Sequence, residues 1–191
     1  SQVRLAQKNA ADAVALAVRA TELDATKPAH FSQLGIALSQ RIGEVGFIQK
    51  AIISGKIKSA FTKALELDAN DLSALIGLAR FYTHAPEIAG GSLVKARELA
   101  ERVRQLHPFR GELELGHIAA QGEQPAEALK HFEAAARLQP NSINAHYSCG
   151  QMLAKLGRKE EARARFETVL KISAGFEPAR KSLAALGAPS S

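Results

Sequence analysis

The chain has 191 residues, with 25 Lys and Arg against 19 Asp and Glu (net charge +6), 46% apolar residues, 5% aromatic residues and no Trp. That apolar share is too high for a disordered chain, and the length suits one domain or one continuous array. The lone cysteine, Cys149, excludes an internal disulfide framework and a cysteine-based zinc site; no run approaches the ~20 apolar residues of a membrane span, and the start lacks the order of a signal peptide.

Helical periodicity begins almost at Ser1, so the native start is expected upstream, and residues 2–24 read as a leading helix. Residues 28–69 read as two helices with a long insertion, GFIQKAIISGKIKSAF, in which Ile48, Ile52, Ile53, Ile57 and Phe61 form one stripe. The stripe supports two readings: a lengthened second helix of about twenty residues with a weak point at Ser54-Gly55, or a protruding apolar edge. In the second reading Ile48, Ile52 and Phe61 meet a partner or a second copy of the chain. Residues 70–108 hold a helix that must stop before Pro86, a flexible Gly90-Gly91, and Ser92 suited to cap the next helix. Residues 109–140 and 141–174 read as two further helix pairs. Residues 176–186, with Pro178 near the start, read as a solvating cap, and residues 188–191 as a disordered tail.

A fixed period links the last two pairs. Gly116 and Gly150, Ala128 and Ala162, Phe132 and Phe166, and Leu138 and Ile172 each lie 34 residues apart. Within each pair the first helix carries a small residue where two backbones approach, and the second carries Ala-x-x-x-Phe on one helical stripe. Such a hairpin buries its apolar face only against the next hairpin.

The order of these positions and their period resemble the tetratricopeptide repeat. The signature slots are filled by Phe31, Leu34, Gly35 and Leu38, then by Leu75, Leu78, Ala79 and Tyr82, and in the last repeat by His146, Cys149, Gly150 and Leu153. Matching second helices carry Ile57-x-x-x-Phe61, Ala96-x-x-x-Ala100, Ala128-x-x-x-Phe132 and Ala162-x-x-x-Phe166. The resemblance implies an all-α, right-handed superhelical solenoid of stacked helical hairpins, about four repeats in a single domain over 1–187. Residues 55–105, with the insertion AP-x-IAGGS, resemble a bacterial group of these proteins, many of them exported. That likeness implies a periplasmic or otherwise exported protein, with the cytoplasm as the alternative.

Chemical motifs are sparse. Ser92-x-x-Lys95 matches a short acylase motif without its partner motifs, and Ser92 is explained as a helix cap. His146 and Cys149, three apart on one helix, occupy packing slots, so the thiol is expected to be an inert small hydrophobe. His30, His84, His107, His117 and His131 show no metal-binding spacing. The expectation is therefore no enzyme, no catalytic residue, no metal and no cofactor. The charge is uneven, at +3 over residues 1–68, −1 over 69–140 and +4 over 141–191, but the C-terminal cations interleave with Glu160, Glu161 and Glu167. That is the pattern of a solvated helix face, so no nucleic-acid partner is expected.

In the tetratricopeptide family, certain first-helix positions line a concave groove. Carried over, these are Ala29, Ser32, Ile36, Ser39 and Gln40; Ser73, Ile76, Arg80, Thr83 and His84; Arg110, Leu113, His117, Ala120 and Gln121; and Asn144, Tyr147, Gln151, Ala154 and Lys155. None is acidic, and Arg80, Arg110 and Lys155 are cationic, which favours an extended acidic or C-terminal peptide of a protein partner. In the slots where the chaperone-binding subset carries its carboxylate grip stand Ser32, Ile36, Gly77 and Glu114, with only Arg110 agreeing, which argues against that role. The expected function is a protein-binding scaffold. The alternatives are a solute-binding component of a transport system, in which the insertions close over the groove, and a self-assembling scaffold.

Overall fold

The computed structural model describes residues 2–44 and 46–187, all of whose regular structure is helical. The tail expected at 188–191 lies outside the described residues. In chain order the helices are α1 (Gln2–Leu23), α2 (Pro28–Arg41), α3 (Phe47–Leu67), α4 (Leu72–His84), α5 (Leu93–Leu106), α6 (Pro108–Gln121), α7 (Pro125–Leu138), α8 (Ile143–Lys155), α9 (Lys159–Ile172) and α10 (Glu177–Gly187). They form two compact units, residues 1–106 with α1–α5 and residues 107–191 with α6–α10.

Local chemistry sets the helix ends. Pro28, Pro108 and Pro125 stand in the first turns of their helices, where a missing N–H costs nothing. Asp71 and Ser142 cap α4 and α8 by accepting the N–H groups of Ala74 at 2.8 Å and Ala145 at 3.2 Å. Gly157, at φ 75°, turns the chain out of α8 in a conformation that glycine alone adopts readily.

In the first unit each helix packs on the next, α1 through α5. The 21 residues of α3 run unbroken through Ser54-Gly55, so the insertion is a lengthened second helix. Phe61 fills the core of this unit at 1% exposure, with Ile53, Ile57, Leu38, Ala74 and Leu78 around it. This corrects the apolar-edge reading at that residue. The stripe faces inward, Ile52 is its one member described as exposed, and the side chain of Ile48 lies outside the described residues. A hydrogen bond ties neighbouring hairpins together: Asp71 Oδ1, already capping α4, accepts the buried Ser32 hydroxyl of α2 at 3.0 Å.

In the second unit α6 to α10 also pack in sequence, around Phe132, Phe166, Leu153, Cys149 and Val169. Both Ala-x-x-x-Phe pairs are buried, and each Phe ring presses on the glycine one helix back, Phe132 on Gly116 and Phe166 on Gly150. A helix-helix approach this close requires the absence of a Cβ at those two positions. α10 covers the apolar flank of α9 through Ala179, Leu183 and Leu186.

Candidate peptide-binding faces

Each unit carries its own set of first-helix side chains. In the first, Ile36 and Ile76 are half-buried, with Ile36 packed on the core, while Gln40, Arg80 and His84 are exposed. Ser32 and Thr83, expected in the groove, do not reach solvent. Ser32 is spent on Asp71, and the Thr83 hydroxyl donates to the Ala79 carbonyl at 2.8 Å. Short polar side chains bond to nearby groups when helix rotation turns them inward.

In the second unit Arg110, His117, Gln121, Asn144, Gln151 and Lys155 are exposed, whereas Leu113 and Tyr147 are half-buried. Leu113 packs on Ala135, Ala136 and Ala145, and the His117 ring stands edge-on to Phe132 with centroids 5.1 Å apart. Arg110 sits in the first turn of α6, where its N–H is 3.4 Å from His107 Nδ1, so His107 caps that helix. Tyr147 is held between Phe166 and Phe176, at centroid distances of 5.6 and 5.3 Å, and its hydroxyl lies 3.4 Å from the Ser182 hydroxyl. Around it opens a solvent-facing depression of about 480 Å³, lined by Tyr147, Glu177, Pro178, Lys181, Ser182 and Ala185. The structure thus brings α10 to Tyr147, a role that reading residues 176–186 only as a cap does not foresee. Its sequence signal is the step of about one repeat from Tyr147 to Ser182, which places α10 as a further first helix.

The chemical motifs have structural explanations. Ser92 Oγ accepts the Lys95 N–H at 3.3 Å and caps α5. Cys149 is fully buried, and burial pushes its thiol up to about 11, so the nucleophilic thiolate is suppressed. His146 is buried with Nε2 2.8 Å from the Pro140 carbonyl oxygen and Nδ1 3.4 Å from the Arg165 guanidinium. Among the described residues no group of three His, Cys, Asp or Glu side chains could hold a metal ion, and no helix is long and apolar enough to cross a membrane.

The family model of the tetratricopeptide repeat matches residues 113–175, from α6 through α9. The fold is that of the tetratricopeptide repeats. Solved structures agree over nearly the whole chain. A thermophilic tetratricopeptide protein of Thermus thermophilus is 16% identical, with 96% of this chain and 94% of that one aligned at a TM-score of 0.74. PilF of Pseudomonas aeruginosa is 19% identical over 96% of this chain and 83% of its own, at a TM-score of 0.66. YrrB, described as a tetratricopeptide protein with an unusual peptide-binding site, is 21% identical over 89% and 81%, at 0.57. At such identities the likeness concerns the fold. A comparison with curated proteins returns no match.

Proposed function

We propose that this tetratricopeptide protein is a non-enzymatic scaffold that holds an extended, acidic or C-terminal peptide segment of a protein partner on its first-helix faces. The observation that carries the reading is the character of the α6 and α8 face. Arg110, His117, Gln121, Asn144, Gln151 and Lys155 stand exposed on helices whose opposite sides are fixed in a core, with two cations and no acid among them. Rigid helices presenting amides can meet the backbone groups of an extended chain, and cations select carboxylates. The depression at Tyr147 is lined by that aromatic ring and by Lys181, although Glu177 also lines it and would disfavour an acid there. Its openness to solvent supports a peptide over a small solute, which is normally enclosed. In the first unit, Ile36, Gln40, Ile76, Arg80 and His84 make the equivalent face.

The test is binding of the full chain to arrayed peptides of varied charge with free or amidated C-termini. Acidic segments or free carboxylates should be preferred. Arg110→Glu with Lys155→Glu should weaken capture on the order of tenfold while leaving Tm unchanged. Peptide crosslinks to α6 and α8 that survive this pair undiminished would sink the proposal for the second unit.

A further inference from the structure

The loop between α4 and α5 is not a slack connection. Ala89, Gly90 and Gly91 N–H groups donate to Pro86, Glu87 and Pro86 carbonyls at 2.8, 2.8 and 3.0 Å, and the Ser92 N–H donates to the Tyr82 carbonyl at 2.9 Å. Gly90 stands at φ 89°, and a Cβ on Gly91 would run into the Ala85 carbonyl. A connection fixed this way presents Ile88 at 100% exposure. A fully exposed isoleucine on a rigid loop has no folding role to explain it, since burial is what an aliphatic side chain contributes to stability.

Beside this loop two cations converge on one ring. Lys58 Nζ of α3 and Lys95 Nζ of α5 lie 5.7 and 5.6 Å from the centroid of Tyr82. Gly90 is the link to the loop, because a Cβ built on it would be 4.0 Å from Lys58 Nζ. Both lysines are exposed, and among the described residues neither ammonium has a carboxylate within 4 Å, the loop's own Glu87 included. The tyrosine face attracts both charges and neutralises neither. Val94, 70% exposed in the first turn of α5, adds a second apolar side chain.

We propose that Lys58, Lys95 and the Ile88 loop form a docking surface for an acidic segment of a protein partner that carries an apolar side chain next to its carboxylates. The unneutralised lysine pair supplies charge complementarity, the fixed loop supplies an apolar contact at no ordering cost, and none of these residues belongs to the first-helix groove positions. The surface is therefore independent of the face on α6 and α8.

The test uses the full chain and a short fluorescent Glu-rich peptide with a central pair of Leu residues, one of them replaced by a photo-crosslinking benzophenone residue. The expected result is saturable, salt-sensitive binding with crosslinks to residues 85–95. Lys58→Glu with Lys95→Glu should weaken that binding on the order of tenfold, and Ile88→Asp several-fold, at unchanged Tm. If the double reversal lowers Tm, Lys58→Gln with Lys95→Gln replaces it and should still flatten the salt dependence. Arg110→Glu with Lys155→Glu should leave the crosslinks at 85–95 in place. Crosslinks confined to α6 and α8 would overturn this surface while supporting the groove reading. The absence of saturable binding would also overturn it, as would tighter binding of a single-stranded oligonucleotide that responds to the same lysine substitutions.

Discussion

The ring of Phe166 rests on the backbone of Gly150, so that a Cβ placed on the glycine would fall 2.5 Å from Cε1. Overpacking of this kind costs ~1–3 kcal/mol, and the better helix propensity of Ala offsets about 1 kcal/mol of it. Gly150→Ala should therefore destabilise the fold by a net of up to ~2 kcal/mol in urea denaturation. Adding Phe166→Leu should restore part of the loss relative to Phe166→Leu alone. Strict additivity of the two would contradict the contact.

The Ser32 hydroxyl links α2 to the carboxylate that caps α4, so that Asp71 serves two hairpins at once. Asp71→Ala removes a helix cap and a partner of a buried hydroxyl, and should cost about 2 kcal/mol. Ser32→Ala should cost about 1 kcal/mol, since the carboxylate keeps its bond to Ala74 N–H. A double-mutant cycle should return a coupling of at least 0.5 kcal/mol, roughly the floor for groups in contact; zero coupling would show the bond to be energetically idle.

Gly91→Ala has no room against the Ala85 carbonyl, and Gly90→Ala would be held at φ 89°. The first should dislodge the 86–92 turn, and the second should cost about 1 kcal/mol as left-handed strain. Limited proteolysis is the direct readout, with Gly91→Ala cut faster within 85–92 than the parent. Equal cutting rates would mean that the turn is not rigid.

The buried Cys149 thiol has its pKa raised from 9.0 to about 11, chiefly by burial, with Arg165 opposing and Glu133 reinforcing. In the unfolded chain the proton leaves first, so the contribution to stability is complete below about pH 9 and is lost as pH rises towards 11. The size is a few kcal/mol at most, at about 1.4 kcal/mol per pH unit. Cys149→Ala should accordingly show a shallower fall in stability over that interval. In the folded parent at pH 8, iodoacetamide should label the thiol only as fast as the chain unfolds.

Much of the fold could be read from spacing, because the glycine-phenylalanine and alanine contacts recur with the period and each repeats the same hairpin geometry. Ser92 as a cap and Cys149 as core followed from the same logic. What spacing could not resolve was helix rotation. The Ile48–Phe61 stripe is equally periodic whether it faces inward or out, and only the glycines at 35 and 77, into which Phe61 fits, decide it. Ser32 and Thr83 were drawn inward by partners that position counting does not see. Lys58, Tyr82 and Lys95 come from three helices, so no sequence window contains their meeting.

Phe61 lies against glycines of two hairpins, Gly35 of α2 and Gly77 of α4, while Phe132 lies against Gly116 and Phe166 against Gly150. It is a keystone shared by neighbouring arches. Truncating it would unseat both at once, so the two amino-terminal hairpins should lose their packing as a pair.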